Sequence, residues 1–288
     1  MSPYQLWPLS QGEIEGKKET FLDLVFSEEL GPMRTLECEK DFLLNRAALG
    51  GFPPMLAATS DEERLTWCAS YLSLALQKDI LDLARIEGVA QLPNLLQLVA
   101  CTIGSIQNHS SMSNSTKIPF TTLRRYLSLL HSLYLIFSIP AWSKSLSQRL
   151  IKSPKIYFTD SALLMSSMGI TLQRLPQQPQ AAGAILENFV ASELSKQISW
   201  HEEKISLYHF RTTHQAEVDF VLENGIGQVV GIEVKASETI RSDDFKHFDQ
   251  LRTSTGNQFL HGIVLYSGKD VLPFGKDLWA MPITALWR

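Results

Sequence analysis

The segment Val229–Lys235 is the feature that most constrains the fold of this chain. It contains five apolar or glycine positions, and its two charged residues, Glu233 and Lys235, lie near its end. An apolar run of this length after a glycine-rich turn is typical of a buried β-strand. Residues two apart on a strand leave the same face, so both charges lie on one side of a sheet. Buried charges are costly unless they are paired or bind an ion, so the segment predicts a charged site inside a sheet.

The elements around this strand predict a mixed sheet. Helices are predicted at Ile185–Ile198 and from about Ser242 to Thr253. The predicted strands are Ile205–Arg211, Ala216–Leu222, Val229–Lys235 and Gly262–Tyr266. The order helix, three-strand meander, helix, strand predicts an α/β domain with a mixed central sheet over residues 183–288.

The candidate catalytic residues of this domain are Glu187, Asp219, Glu233 and Lys235. Asp219 belongs to the strand that precedes Glu233, and Glu187 lies on a largely apolar helix before the strands. Strict alternation places Glu217, Asp219 and Val221 on one face of the strand. It places Val218 and Phe220 on the opposite face.

Hydrolysis of a phosphodiester bond in DNA is the chemistry that this set favours. Mg²⁺, or Mn²⁺ in its place, takes one or two carboxylates and keeps waters for phosphate oxygens. The predicted metal ligands are Asp219 and Glu233, with the Val234 carbonyl as a third. Lys235 would orient the attacking water or stabilise the transition state, and Glu187 would hold a water of the metal. The alternative is an exposed Glu–Lys pair on an edge strand with no chemical role.

The charges are distributed unevenly along the chain. The 288 residues hold 26 Lys plus Arg and 30 Asp plus Glu, a net charge of -4. Residues 1–90 hold 8 basic and 15 acidic residues, residues 91–180 hold 8 and 1, and residues 181–288 hold 10 and 14. A basic third of this kind predicts an anionic partner. The predicted nucleic-acid-binding residues are Lys117, Arg124, Arg125, Lys144, Arg149, Lys152 and Lys155. The alternative is a basic face that docks on the acidic first third or on another protein.

Residues 91–170 fit the pattern of a winged helix-turn-helix. An apolar helix is predicted at Leu92–Ile103, followed by a polar stretch, Gln107–Thr116, without a regular pattern. Thr121 is a candidate N-cap for the next helix. The segments Tyr134–Ile139 and Lys155–Phe158 are predicted to pair as the wing strands.

The remaining segments complete a four-part organisation. Residues 1–90 are predicted to be mostly helical, with helices at Glu19–Glu28, at Lys40–Leu49 and from Ser60 to about Arg85. Residues 171–182 are rich in Gln and Pro, which predicts a linker before the last domain.

Several classes of protein are not favoured. No GxxxxGK[ST] phosphate loop is present, so we expect no ATP site in this chain. The apolar stretch Leu127–Trp142 is short for a membrane span, and residues 1–20 hold no apolar run of the signal-peptide type. Three widely spaced cysteines, Cys38, Cys68 and Cys101, predict buried thiols rather than a disulfide framework. These features predict a cytoplasmic protein without a membrane partner.

A set of short sequences resembles a known family, the prokaryotic predicted AAA-type ATPases that carry a C-terminal domain of unknown function (DUF4143). The matching segments are Pro8–Ser10, Gly50–Pro53, Lys152–Asp160, Leu186–Val190, Glu217–Val221, Ile232–Ser237 and Pro282–Trp287. Asp219 and the Glu233-x-Lys235 motif, 14 positions apart, also resemble the signature of PD-(D/E)xK nucleases.

The resemblance implies an order of parts. Residues 1–90 would be a helical, lid-like remnant of the AAA+ ATPase, 91–170 the winged helix, and 183–288 a restriction-endonuclease-like PD-(D/E)xK domain. The chain would begin after the nucleotide-binding core, because Walker A and B segments are absent from it. In the family, the residues that match Glu187, Asp219, Glu233 and Lys235 form a predicted site.

Two functions follow as hypotheses. The first is a metal-dependent nuclease acting on DNA. The second is a non-catalytic module of a truncated ATPase that binds nucleic acid or protein, with a separate ATPase core as a conceivable partner.

Overall fold

The computed structural model describes residues 5–28, 30, 40–83, 91–106, 108–212 and 216–287. Within them, no helix is both long and apolar enough to cross a bilayer. Cys68 is buried as predicted, Cys101 is exposed against the prediction, and Cys38 lies outside the described residues. The architecture is α/β with a mixed sheet, as the sequence predicts.

The first part of the chain is helical, as predicted. Its helices are α1 (Gln11–Glu15), α2 (Phe21–Val25), α3 (Lys40–Leu49), α4 (Pro53–Ala57) and α5 (Asp61–Leu83). The predicted helix at Glu19–Glu28 is thus shorter than its apolar pattern suggests. The predicted end of the last helix near Arg85 lies outside the described residues.

The basic third contains three helices followed by a hairpin. Its elements are α6 (Leu92–Cys101), α7 (His109–Thr116), α8 (Phe120–Ser132), β1 (Ile136–Ile139), α9 (Leu146–Ile151) and β2 (Lys155–Phe158). The two strands pair antiparallel as predicted, from Ile136 opposite Phe158 to Ile139 opposite Lys155.

Two details of this region differ from the prediction. The polar stretch that we expected to be irregular forms α7, because Asn108 accepts a hydrogen bond from the Ser111 N–H and Met112 is buried beneath the helix. The next helix begins directly after Pro119, so Thr121 lies inside the helix and is not its N-cap.

The segment predicted as a linker is also helical. After α10 (Ser161–Met168), a 3₁₀ helix spans Leu172–Gln177, and α11 (Pro179–Trp200) begins two residues later. Leu175 is completely buried, and Pro179 occupies the first turn of α11, where proline is well tolerated. Composition alone therefore misses a packed connection, and the domain division stays a prediction.

The rest of the chain forms the large sheet. Its strands are β3 (Ile205–Arg211), β4 (Glu217–Asn224), β5 (Val229–Lys235), β6 (Phe259–Tyr266), β7 (Leu272–Pro273) and β8 (Leu278–Pro282). They lie in the order β3-β4-β5-β6-β8-β7. The meander β3-β4-β5 is antiparallel, and β5, β6 and β8 are parallel. A 3₁₀ helix (Ser242–Phe245) and α12 (Phe248–Thr255) replace the single helix that we predicted between β5 and β6.

Helices cover both faces of this sheet. A large cluster of buried apolar residues extends from α2 through α11 to the sheet and the C-terminal Trp287. A smaller cluster on the other face contains Phe248 and Leu251 of α12. The connection of the hairpin contacts the large sheet at the edge formed by β3. There the Trp142 N–H donates to His209 O, and the His209 N–H donates to Pro140 O. The hairpin and the large sheet therefore form one continuous structure.

Candidate functional site

Strands β4 and β5 bring the predicted site residues together. Phe220 pairs with Ile232 in this antiparallel ladder, so Asp219 lies opposite Glu233 at the next position. The predicted alternation along β4 is wrong, because the pairing with β3 shifts register between Tyr208 and Phe210. Val218 and Val221 consequently pack in the same cluster, although they are three positions apart. Such a β-bulge bends the strand and changes the direction of its side chains, here next to Asp219.

Lys155, the first residue of β2, lies at the centre of the site. Its side chain is only 1% exposed. The ammonium group is 2.6 Å from Glu217, 3.3 Å from Glu187 and 3.4 Å from Asp219. The residues that we call the carboxylate cluster are Glu187, Glu217, Asp219 and Glu233.

Glu187 reaches the cluster from α11. Its Oε1 accepts a hydrogen bond of 2.7 Å from the hydroxyl of Tyr157. Gly104, with φ of +74°, gives it room, because a Cβ at that position would lie 2.5 Å from Oε2 of Glu187. This position therefore requires glycine both for its backbone conformation and for the space of a carboxylate.

Asp219 and Glu233 form the second half of the cluster. The Val234 N–H donates to Oδ2 of Asp219 at 3.0 Å. Glu233 is 7% exposed, and its oxygens lie 3.5 Å from the Lys235 ammonium and 3.8 Å from Nδ1 of His247. The carboxylates of Asp219 and Glu233 repel each other when both are ionised.

Burial and mutual repulsion shift the pKa values of this cluster. Burial raises the pKa of Glu187 to about 7, with a further contribution from the charge of Asp219. Burial, followed by the charge of Asp219, raises the pKa of Glu233 well above its usual value. Burial opposes the charged form of Lys155, but attraction to Glu187, Asp219 and Glu217 outweighs it and raises the pKa of the ammonium group. The charged form of Lys155 is therefore favoured, whereas the nearby carboxyls compete for charge.

The arrangement does not fit the Mg²⁺ or Mn²⁺ ion that we predicted between Asp219 and Glu233. Both oxygens of Asp219 are engaged, one by Lys155 and one by the Val234 N–H. Among the residues that the structure describes, no group of three or more His, Cys, Asp or Glu side chains is placed to hold a metal ion. The Lys155 ammonium would repel a second cation at this distance. The predicted metal site thus stays a prediction that these side-chain positions do not support.

Sequence reasoning missed Lys155, Tyr157, Glu217 and His247 as members of the site. Lys155 was predicted to contact nucleic acid, and its burial contradicts this. The sequence pattern could have indicated this, because Lys155 is the first residue of a short strand that is otherwise apolar or aromatic. In the structure, all four residues of that strand are buried. A lysine in such a position requires acidic partners.

The other predicted nucleic-acid-binding residues divide into two groups. Arg149 is only 12% exposed and donates to Glu223 at 2.7 Å, while its guanidinium lies over the ring of Tyr208. Its position is that of an intramolecular partner, and contact of Arg149 with nucleic acid stays a prediction. The side chains that remain exposed are Lys117, Arg124, Arg125, Lys144 and Lys152.

Two family models match separate parts of the chain. Residues 182–286 match "Domain of unknown function (DUF4143)", and residues 41–174 match "Domain of unknown function (DUF8612)". The first match confirms the predicted DUF4143 region, while its nuclease-like character stays a prediction. Lys155 belongs to one matched region and the four carboxylates to the other, so the site joins the two.

Curated relatives extend beyond this chain. The "Uncharacterized protein Rv2008c" of Mycobacterium tuberculosis and the "Uncharacterized protein Mb2031c" of Mycobacterium bovis are each 28% identical over 190 residues. These residues make up 66% of this chain and 42% of each relative. The chain therefore matches less than half the length of these relatives.

Similarity to solved structures is weak. One example is a "Refined half-complex from tetradecameric assembly of Thermococcus gammatolerans McrB AAA+ hexamers with bound McrC". The match is 11% identical, covers 67% of this chain and 70% of that chain, and has a TM-score of 0.27. At that score the similarity supports no conclusion about fold or function.

Proposed function

We propose that this chain is the nucleic-acid-binding part of an ATPase-associated protein and does not itself cleave the nucleic acid. DUF4143 is a domain found in AAA-ATPase-associated proteins. The observation that carries the proposal is the surface charge of residues 91–180. Their one acidic residue, Asp160, is buried, whereas six of their eight basic side chains are exposed. A surface of one sign attracts a polyanion because each phosphate contact releases a counterion.

The exposed cations lie on elements that suit DNA. Arg124 and Arg125 are in the first two turns of α8, and Lys144 and Lys152 flank α9 in the connection of the hairpin. Three helices followed by an antiparallel hairpin support the winged-helix hypothesis. Helix-turn-helix proteins place the N-terminal residues of their recognition helix in the major groove.

The alternative of docking on the acidic first third has less support. Within the described parts of the chain, no ion pair joins Lys117, Arg124, Arg125, Lys144 or Lys152 to residues 1–90. Of the acidic residues there, Glu15 pairs with Lys17 and Arg46, Asp61 pairs with Arg64, and Asp23 lies 3.1 Å from His201. The basic side chains thus keep their charge available to an external partner.

Removal of two cations from α8 tests the proposal. We expect Arg124→Ala combined with Arg125→Ala to weaken binding to duplex DNA by about 10- to 100-fold at low salt, and to reduce the slope of log K against log salt by about 1.8. Fluorescence anisotropy with labelled DNA over a salt series measures both. The matched control is Lys204→Ala combined with Lys269→Ala, which removes two exposed cations outside the basic third and should leave affinity and slope close to those of the parent.

Equal affinity and equal slope for the parent and the α8 variant would contradict the proposal. An equal loss in both double variants would show attraction by net charge alone and would also count against it. The thermal midpoint of each variant verifies that the fold is retained.

Metal-dependent hydrolysis is the second candidate, favoured by the proximity of Asp219, Glu233 and Lys235. Plasmid cleavage with Mg²⁺ or Mn²⁺ distinguishes the two candidates. The binding proposal expects no cleavage by the parent above that of Asp219→Asn. Cleavage by the parent that Asp219→Asn and Lys235→Ala both abolish would establish the second candidate instead.

A further inference from the structure

Lys155 is held in place by its backbone on two sides. It pairs with Ile139 in the hairpin and forms an isolated antiparallel bridge with Ile106, before α7. Because the pairings with Ile139 and Ile106 fix the backbone of Lys155, they also fix the direction in which its side chain extends towards the large sheet. The position of the ammonium group therefore follows from the fold of the hairpin rather than from a flexible surface side chain.

Three of the four carboxylates surround the ammonium group of Lys155. A lysine has three N–H donors, and three acceptors surround this one, at 2.6 Å (Glu217), 3.3 Å (Glu187) and 3.4 Å (Asp219). A buried ion is tolerated when it is paired, and this ammonium group has hydrogen bonds to Glu187 and Asp219 and an ion pair with Glu217. Glu187 comes from α11 and the other two from β4, so one cation joins the hairpin, the helix and the sheet.

Each acceptor also has a second partner. Tyr157 donates to Glu187, the Val234 N–H donates to Asp219, and Arg211 lies 3.8 Å from Glu217. A divalent ion that bound Asp219 would have to displace one of these donors or lie beside an ammonium group. The first arrangement loses a hydrogen bond or ion pair of the cluster, and the second places two cations side by side, so both are unfavourable.

We propose that Lys155 is a built-in cation that takes the place of a divalent metal ion in the carboxylate cluster. It offsets part of the negative charge of the cluster and fixes the hairpin to the large sheet, so the site needs no metal for its structure. The inference does not depend on nucleic-acid binding by α8, because it concerns a different set of residues and a different ligand.

Binding of Mn²⁺ to the full chain tests this inference. Isothermal titration calorimetry compares the parent, Lys155→Met and the matched control Lys204→Met, which removes an exposed charge at the start of β3. We expect no measurable site in the parent or in the control. Lys155→Met keeps the length of the side chain without its charge, and should bind Mn²⁺ with a dissociation constant at least about tenfold below the weakest binding that the titration of the parent can detect.

Two further measurements keep the result interpretable. Mn²⁺ should raise the thermal midpoint of Lys155→Met and leave that of the parent unchanged, and Asp219→Asn in the Lys155→Met background should abolish the gain. If Lys155→Met does not fold even with Mn²⁺, the parent decides the outcome. Stoichiometric Mn²⁺ binding by the parent that Asp219→Asn removes would overturn the inference, and absence of such binding supports it.

Neither result determines the outcome of the DNA-binding test. A parent that binds Mn²⁺ through Asp219 overturns the role of Lys155 but leaves the contacts of Arg124 and Arg125 to be judged by anisotropy. Conversely, a chain without affinity for DNA can still carry the internal cation.

Discussion

At the scale of single residues, Glu19 is a half-buried carboxyl outside the cluster with a clear consequence for pH. It accepts hydrogen bonds from the Gly12 N–H at 2.9 Å and from the Ser10 hydroxyl at 3.0 Å. Burial raises the pKa of Glu19 to about 7, against the hydrogen bond from Gly12, and the nearby charge of Glu193 raises it further. The folded state therefore binds this proton more tightly than the unfolded chain does.

The sign of the effect on stability follows from linkage. Because the pKa of Glu19 is higher in the folded state, its contribution favours folding at low pH and is lost as the pH rises from about 4.5 to about 7. We expect Glu19→Gln to become more stable relative to the parent over this window. Urea unfolding at pH 5 and pH 8 measures the difference, and Glu28→Gln, at an exposed position, serves as the control. A constant difference between Glu19→Gln and the parent would contradict the prediction.

At the scale of elements, Asp160 joins two parts of the structure. Its carboxylate caps α10 by accepting from the Ala162 and Leu163 N–H groups, and its other oxygen accepts from the Gly51 N–H at 2.8 Å. All of these atoms are buried, so an unpaired N–H would keep its full desolvation cost. The side chain is thus a helix cap and a link to the loop after α3.

Removal of this cap should be more costly than removal of an exposed one. We expect Asp160→Ala to lower the free energy of unfolding by about 3 kcal/mol, since three buried donors lose their acceptor. Asn108→Ala at the start of α7 should lower it by about 1 kcal/mol, since that cap makes one exposed bond. Denaturant unfolding of both variants gives the comparison, and equal losses would show that the link to Gly51 contributes nothing.

The elements also show how far the sequence could predict this structure. The bounds predicted for β3 and β5 are those observed, because period-two and apolar-run patterns are local signals. Helix α7 was missed because Ser, Asn and Thr have weak helix propensity, which a side-chain cap and the burial of Met112 overcome. The bulge near Asp219 depends on pairing between strands, which no local pattern reports.

The candidate site was also predictable only in part. Asp219, Glu233 and Lys235 were identified because their spacing on neighbouring strands is a local pattern. Lys155 was assigned to the surface because its acidic partners lie 32 or more positions further along the chain. A charge count by segment assigns Lys155 to the basic third. In the folded chain its side chain lies instead among the acidic residues of the carboxylate cluster.

At the scale of the whole molecule, contacts join both ends of the chain to α11. The Gln11 N–H donates to Glu193, the Lys196 ammonium donates to Leu9 O, and the Gln197 side-chain amide donates to Leu286 O. The large apolar cluster runs through the same region, from the first helices to the C-terminus. The predicted parts thus share a core rather than a flexible connection.

A shared core predicts cooperative unfolding. We expect urea denaturation of the full chain to show one transition, with the same midpoint by far-ultraviolet circular dichroism and by fluorescence of its six tryptophans. Two separated midpoints would show that the helical and sheet-containing parts unfold independently, as the predicted linker over residues 171–182 implies.

The contacts of Lys155 also constrain how this sequence can evolve. A substitution that removes the lysine alone leaves three carboxylates of two secondary-structure elements without their shared cation, and loss of one partner of a buried pair is costly. Accepted changes at position 155 should therefore occur together with neutral residues at 187, 217 or 219. Among homologues these positions should covary as a group, with the total charge of the group more constant than any one side chain.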